Sequence, residues 1–405
     1  MELIPQLFRT EFRKMTAVLC KHFGLSNMQV AEDIVSETFL LAAETWGKKG
    51  LPDNQVAWLY TVAKNKTRDH LRRDQLFRDK ISPDLQHTQA PHESPELDFS
   101  TPNISDSQLQ MMFAICHPAI PMEAQIGLTL RILCGFGIEE IADAFLSKKD
   151  TINKRLFRAK EKLRKARIEI AFPPTSELQG RMEAVLRSLY LLFNEGYYSA
   201  SPNKTLRKDF CLEAMRLALM LSQNERTNQP NVNALLALMC FHASRFDARL
   251  DDNGAFVLYG EQDHRQWNQE LIEKGELYLN KAATGKQLSR YHLEAAIAYW
   301  HTRSEDTDEK WENILQLYNY LLQVEYSPMA ALNRTYALAK ANGYATAIRE
   351  AKKINLEQHH LYHCLLAELY RPSDRVAAKV HLAKALHLAK AERDKVLINK
   401  KLASL

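Results

Sequence analysis

Ten cations crowd one short stretch of this chain. Lys148, Lys149, Lys154, Arg155, Arg158, Lys160, Lys162, Arg164, Lys165 and Arg167 stand against only Asp150 and Glu161. Side chains of this kind neutralise phosphates, and arginine, lysine and asparagine on a helix reach base edges. Ile152, Leu156, Ala159 and Leu163 recur among the cations at helical spacing, which gives the helix one apolar stripe. Ile141, Ala142 and Phe145 do the same just upstream. An apolar helix, a tight turn and a basic second helix are the parts of a helix-turn-helix, whose second helix enters the DNA major groove. Asp150 and Thr151 read as the cap of that second helix. Without the upstream helix, the charge run would read as a solvated surface.

Other polar clusters carry less chemistry. His359 and His363 are four residues apart with His360 between them, but no carboxylate completes an HExxH pattern. Asp247, Asp251, Asp252 and Asn253 near Gly254 lack the alternation and final glutamate of a calcium loop, and read as a polar turn. Phosphate-loop, dinucleotide and nucleophile-elbow motifs are missing. No catalytic residue, metal or cofactor is expected, so the chain does not read as an enzyme. Asn194, Glu195, Gly196 and Tyr197 end an apolar helix. They suit a ligand pocket or a docked helix end, with Glu195 and Tyr197 in hydrogen bonding.

The elements that must position these residues are helical throughout. The chain has 405 residues, 46% hydrophobic, with a net charge of +5, so the clustering of positive charge matters more than its sum. Glycine and proline are scarce and no strand-like alternation runs far, which points to an all-α fold. Cys20, Cys116, Cys134, Cys211, Cys240 and Cys364 lack metal-type spacing and read as reduced core residues. The opening MELIPQLFRTEFRK lacks the order of a signal peptide, and no apolar run approaches the roughly 20 residues of a membrane span. A cytoplasmic protein without a membrane partner is expected.

Five segments follow from the pattern. Residues 1–78 form a first helical domain. Its opening helix stops at Gly24, and Ser26 or Asn27 caps the next. Ala31, Ile34, Val35, Phe39 and Leu41 give that second helix apolar contacts, while Glu32, Asp33, Ser36 and Glu37 give it an acidic-polar face. The loop 46–54, WGKKGLPDN, mixes an aromatic, cations and flexible backbone in a way that suits single-stranded nucleic acid. A third helix turns Trp58, Leu59, Val62, Ala63 and Leu71 inward and carries Lys64, Asn65, Lys66, Arg68, Arg72 and Arg73 outside. Residues 79–105 hold four prolines and read as an extended, mobile linker. Residues 106–170 contain the helix-turn-helix. Pro173 and Pro174 open a helical extension, 171–284. Residues 285–405 repeat helix after helix at an offset of roughly 31–34 residues, near that of tetratricopeptide (TPR) arrays. Ala337, Ala347, Ala367 and Ala378 allow close helix contact there, and Tyr336 and Tyr370 fill gaps. Such stacks present a concave face for a protein partner.

Three stretches together carry a resemblance. AEDIVSETF (31–39), WLYTVAKNKTRDHLRR (58–73) and LRILCGFGIEEIADAFLSKKDTINKRLFRAKEKLR (130–164) resemble regions 2 and 4 of sigma-70 family factors of the extracytoplasmic-function (ECF) subgroup, in order, spacing and Pro-rich joint. Leu146 replaces the usual glycine of the turn, and Asp150 stands where a glycine is common. The AFL turn and RMEAVLRSLYLLFNEGYYSAS (181–201) look like one branch of the subgroup, which carries a long helical C-terminal extension.

The resemblance implies a transcription initiation factor that itself catalyses nothing. It implies core RNA polymerase as partner, through the β′ clamp helices and β flap, with Glu32, Asp33, Val35, Ser36, Glu37 and Phe39 on the polymerase-binding face. Trp46, Lys48, Lys49, Asn54, Asn65, Arg68, Arg72 and Arg73 would open and read the −10 element of promoter DNA, with a flipped base held by the loop and Asn65. Lys149, Asn153, Lys154, Arg155 and Arg158 would read the −35 element. The extension would regulate this core in cis or recruit a protein to its TPR-like face. The alternative is a helix-turn-helix regulator with a TPR-like interaction domain, acting without polymerase.

Overall fold

The computed structural model describes residues 3–81, 97–145, 147–198, 204–249, 257, 259–285 and 287–405. Among these residues the regular elements are helices and no strand occurs, so the expected all-α class is the one found. By its internal contacts the chain divides into two units, Met1–Met220 and Leu221–Leu405.

The first unit opens with α1 (Leu3–Phe23), a 3₁₀ turn at Leu25–Asn27, and α2 (Met28–Lys49). Phe12, Met15, Leu19 and Cys20 form the fully buried stripe of α1. On α2 the stripe is Ala31, Val35, Phe39 and Ala42, where the period of 3.6 returns to the same side. Two expectations for α2 change. Leu41 is 37% exposed rather than core. Asn27 stands at the N-cap position but makes no side-chain cap; its amide nitrogen donates to the Phe23 carbonyl instead.

A long α3 (Gln55–Ile81) buries Leu59, Ala63 and Thr67 against α1 and α2, while Trp58, Val62 and Leu71 are only half-buried. Next come α4 (Thr101–Ile115), α5 (Met122–Leu128), a π-turn over Thr129–Leu133, α6 (Ile138–Ala144) and α7 (Lys149–Lys165). Residues 79–81 and 101–105 of the expected linker are therefore helical, and 97–100 are irregular. α3 runs on to Ile81, and α4 starts at Thr101 with Pro102 in its first turn, where a missing N–H costs nothing. Residues 82–96 of that linker, and Leu146 in the turn between α6 and α7, lie outside the described residues.

α8 (Thr175–Tyr198) and most of α9 (Lys204–Gln223) belong to this first unit. Arg181 donates to the Phe113 carbonyl of α4, and Ser188 donates to Gln125 of α5 at 2.8 Å. From α9, Arg216 donates to the Leu133 carbonyl at 2.8 Å and Phe210 packs on Phe136 with ring centroids 4.7 Å apart. Glu195 sits half-buried near the end of α8, and burial raises its carboxyl above the ordinary range. Tyr197 is core. Residues 199–201 of the same motif lie outside the described residues.

In the second unit, helices pack on their neighbours in chain order. They are α10 (Pro230–Ala243), α11 (Gln269–Ala282), α12 (Arg290–Trp300), α13 (Asp308–Val324), α14 (Pro328–Asn342), α15 (Tyr344–Ala351), α16 (His360–Tyr370), α17 (Arg375–Leu388) and α18 (Glu392–Ala403). Ala337, Ala347, Ala367 and Ala378 are buried at these crossings, where a small side chain lets backbones approach. Tyr336 is 37% exposed and does not fill a gap in the core. All six cysteines are free thiols, and Cys364 alone among them is not fully buried. Burial pushes the Cys240 thiol up to about 12.

One glycine fixes how the first unit closes. Gly135, after the π-turn, has φ +78°, and a Cβ there would lie 3.1 Å from the Arg9 carbonyl oxygen of α1. A side chain would be strained by the left-handed backbone and would push α1 away. Gly135→Ala is expected to destabilise the protein by about 1–3 kcal/mol, read as a lowered thermal midpoint of the full chain.

Candidate nucleic-acid interface

The outward face of α7 is built by its inward one. Ile152, Leu156, Ala159 and Leu163 are all at most 4% exposed, which turns Asn153, Lys154 and Arg158 to water. Arg155 lies half-buried at the edge of that face. Lys154, Arg155, Arg158 and Lys162 rim a groove of about 380 Å³ beside Pro121 and Ala124 at the start of α5. Lys149 is exposed and reaches back to Glu139 of α6 at 2.5 Å, an ion pair that raises its ammonium. The helix starts earlier than the expected cap. Lys148 is the N-cap residue without a side-chain bond, and Asp150 sits in the first turn, where its charge meets the positive end of the helix dipole.

Lys160 departs from the outward set. It turns inward and binds Glu32 of α2. Arg131, from the π-turn, holds the other oxygen of the same carboxylate at 3.3 Å. Arg131 also donates to the Phe136 carbonyl at 3.2 Å and lies 5.2 Å from the Phe12 ring centroid. The three side chains are only 11–22% exposed, so water screens this cluster weakly. A second bridge adds to it. Arg9 of α1 reaches Glu140 of α6 at 2.8 Å and Asp209 of α9 at 2.7 Å, while Arg13 reaches Glu213 of α9 at 2.5 Å. Glu140 also accepts from the Gly137 N–H at 2.7 Å, which caps α6.

The residues expected on the polymerase-binding face separate into two sets. Asp33, Ser36 and Glu37 are exposed. Val35 and Phe39 are core, with Phe39 edge-on to Phe8 at 5.0 Å, and Glu32 is 8% exposed inside the cluster just described. Helical geometry explains the correction: positions 35 and 39 share the stripe that packs on α1, whereas 33, 36 and 37 lie beyond it. Leu40 is 61% exposed on the same outer face. An apolar residue in an apolar run reads as core, and only the register of the helix shows it facing water. A hydrogen bond from Lys66, 2.9 Å away, holds the Glu37 carboxyl below its ordinary range.

The expected loop 46–54 is half helix. Trp46, Gly47, Lys48 and Lys49 form the last turn of α2, which closes at Gly50 with φ +83°. Trp46 is 6% exposed and packs edge-on against Trp58 at 5.4 Å, so it is a wedge in the core rather than a stacking platform in solvent. Burial of that ring offsets the roughly 1 kcal/mol that Gly47 costs inside a helix. Lys48 and Lys49 are exposed. Asn54 is exposed too, but its side-chain oxygen accepts from the Ala57 N–H at 2.9 Å, the geometry of an N-cap for α3.

Along α3, Asn65, Arg68, Arg72 and Arg73 are all exposed, and the first three follow one stripe. Arg73 donates to the Asp69 carbonyl at 3.3 Å. Beside them, Phe99 from the segment before α4 stacks on Tyr60 at 4.7 Å, with the Lys64 ammonium 6.0 Å from its ring. Tyr60 donates to Glu11 at 2.5 Å. Two exposed basic faces thus stand in one unit: α7 with a groove, and α3 with the end of α2. Neither holds a constellation suited to covalent chemistry.

The remaining clusters are structural. His359 caps α16, and His363 meets His381 at 3.1 Å and the Glu357 carbonyl at 3.0 Å. Among the described residues, no group of three or more His, Cys, Asp or Glu side chains could hold a metal ion. Asp247 lies in a short 3₁₀ turn, and Asp251, Asp252, Asn253 and Gly254 lie outside the described residues. No helix among those described is long and apolar enough to cross a membrane.

Comparison with known proteins adds four findings. A family model described as sigma-70 region 2 matches residues 7–77. A second, described as a family of unknown function (DUF6596), matches residues 181–283. An uncharacterized protein of Rhizobium meliloti (strain 1021) is 32% identical over 371 residues, which is 90% of this chain and 87% of the relative. The RNA polymerase sigma-H factor of Pseudomonas aeruginosa is 30% identical over 145 residues, 34% of this chain and 73% of that factor. No solved structure matches the chain.

The cap assigned to Asn54 is testable. Asn54→Ala is expected to cost about 1 kcal/mol in thermal unfolding of the full chain, and Asn54→Asp to restore most of it.

Proposed function

The chain belongs to the sigma-70 family, and from that membership we propose that it is an ECF-type initiation factor that directs core RNA polymerase to specific promoters. Sigma-70 proteins are not enzymes, and region 2 implies binding to core polymerase and to promoter DNA. In this reading α7 lies in the major groove of the −35 element. Lys154, Arg155, Arg158 and Asn153 reach bases and phosphates there, with Lys149 on the backbone once it leaves Glu139. Asn65, Arg68, Arg72 and Arg73 of α3, with Lys48 and Lys49, hold the −10 strand, and Asn65 meets a flipped base. Asp33, Ser36, Glu37 and Leu40 form the accessible part of the polymerase-binding ridge. The observation that carries the reading is the region 2 match over residues 7–77. A helix-turn-helix regulator working without polymerase leaves that domain without a task.

The extension is read as a regulator in cis. Segment 171–220 braces both sigma regions: α8 is tied to α4 and α5, and α9 to α1 and the π-turn. The Glu32 cluster joins α2 to α7 in the same closed arrangement. Glu32 is withdrawn from contact while that arrangement lasts. Binding of polymerase would then require α7 to leave α2, and the bracing by α8 and α9 sets how readily it does. Residues 285–405 are read as a TPR-like module for a protein partner.

Run-off transcription with purified core polymerase tests the reading as a whole; a chain that binds promoter duplex but gives no polymerase-dependent transcript would overturn it. Lys154→Ala with Arg155→Ala is expected to weaken −35 binding at least tenfold and to reduce the salt slope by about 2, with core binding kept. Lys160→Met should release Glu32 and raise affinity for core polymerase by about threefold to tenfold, on the order of 1 kcal/mol, measured by fluorescence anisotropy of labelled protein. An unchanged or lowered affinity would remove the cluster from any regulatory role.

A further inference from the structure

A groove in the second unit has no part in promoter reading. Its walls repeat one spacing on three helices. From α13 come Trp311, Ile314 and Tyr318; from α14 come Asn333, Tyr336, Ala337 and Lys340; from α18 come Leu397, Lys400, Lys401 and Ser404. Each set follows i, i+3 or i+4, and i+7, so each helix presents one stripe of about 10 Å. Glu368 and Arg371 at the end of α16 lie between α14 and α18 in this wall. With neighbouring helices 8–10 Å apart, the groove crosses the stack over roughly 20–30 Å. Its volume is about 890 Å³. A space that long and that small in volume is narrow, the shape of an extended chain rather than of a compact ligand.

The floor is aromatic. Trp311 is 5% exposed and meets the Tyr336 ring edge-on at 5.6 Å and His301 at 5.9 Å. Tyr259 lies edge-on to His301 at 5.1 Å. The walls are basic: six lysines and arginines line the groove against three carboxylates. Each carboxylate already has a cation. Asp306 is held by Lys340 at 2.8 Å, Glu261 by Lys400 at 3.0 Å, and Glu368 by Lys401 at 3.4 Å.

Arg371 also reaches Glu368, at 4.0 Å. The remaining two cations, Arg245 and Lys310, meet at one end beside His301. No carboxylate lies within 4 Å of either among the described residues. The Lys310 ammonium donates to the Arg303 carbonyl at 2.7 Å and to the Tyr259 hydroxyl at 3.3 Å. Arg245 lies over the Tyr259 ring at 5.4 Å and touches His242 at 3.5 Å. At this end two buried nitrogens, Arg245 Nε and His301 Nδ1, have no hydrogen-bond partner. Burial, with Arg245 and Lys310 nearby, pushes the His301 imidazole down to about 3, so it is neutral and can offer one N–H. Asp306 acts on Lys310 only from beyond 4 Å. Buried unmatched polar nitrogens beside two cations without a carboxylate in contact describe a place that an anionic oxygen would complete.

We propose that this groove binds an extended acidic peptide segment of a partner protein. A carboxylate of the segment sits on Arg245, Lys310 and His301, and an aromatic or aliphatic side chain rests on Trp311 and Tyr336. The inference rests on the reading of residues 285–405 as a partner-binding module, extends its site to Arg245 and Tyr259 just before that segment, and names the chemistry of what it takes.

Fluorescence anisotropy on the full chain tests it. One probe is a fluorescein-labelled heptapeptide of alternating glutamate and phenylalanine; the control carries glutamine for each glutamate. The acidic peptide should bind at least tenfold more tightly, with the difference shrinking as salt rises. Arg245→Gln should cost at least tenfold and Tyr336→Ala about fivefold, with thermal midpoints checked alongside. Should Arg245→Gln fail to fold, the exposed Tyr336→Ala variant decides. Equal binding of the two peptides would overturn the acidic assignment and leave a peptide groove standing. No binding of either would overturn both. Displacement of the acidic peptide by oligothymidylate at lower concentration than by unlabelled peptide would assign the groove to single-stranded nucleic acid instead.

Discussion

Glu32 sits where a carboxylate is expensive to place. It belongs to α2, is 8% exposed, and lies against the fully buried Cys20 side of α1. Taking a carboxylate out of water costs several kcal/mol unless opposite charge meets it with good geometry. Here it meets two cations from two other elements, Arg131 of the π-turn and Lys160 of α7. Neither cation has a similar partner elsewhere in its own helix. The three groups therefore satisfy one another only when α2, the π-turn and α7 are packed together. Gly135 permits the approach on one side, and the Arg9 and Arg13 bridges to α6 and α9 continue it on the other. The closed first unit follows from this set of contacts.

That constraint divides the basic residues by task. Lys160 and Arg131 are spent on the scaffold, and so is Arg9. Lys154, Arg158 and Asn153 are left facing solvent because Ile152, Leu156 and Ala159 face the core. The same division holds on the first domain. Trp46 and Asn54, both candidates for nucleic acid, serve as a core wedge and a helix cap, whereas Asn65, Arg68 and Arg72 have no structural duty of that kind. An exposed polar side chain with no local partner is the one free to meet a phosphate or a base. The exposed basic residues thus form two separate faces rather than one general basic surface.

The second unit solves a different problem. Short helices cannot bury their apolar faces alone, so each packs on its neighbours, and small residues at the crossings keep the stack tight. Stacking of this kind leaves one side concave. In this chain a groove across several of these helices is lined with aromatic rings and an excess of cations, and the paired carboxylates cover only part of it. The unit thus holds stored positive potential in a narrow space, which the first unit's chemistry does not use.

The sequence by itself determined the helical class and the apolar stripe of α7, because a 3.6-residue period is a local property. It also determined where the basic residues cluster. It did not determine which of them face solvent. Val35, Phe39, Trp46 and Lys160 carry the right chemistry in the right stretches, yet their exposure depends on helix register and on what packs opposite. Leu40 and Leu41 show the converse, apolar residues that register leaves in water. The run of α2 past Gly47 was likewise decided by burial of Trp46, which outweighs the local glycine signal. Only tertiary structure brought Glu32 to residues about 100 and 130 positions away, since a buried charge selects partners by space and not by sequence distance.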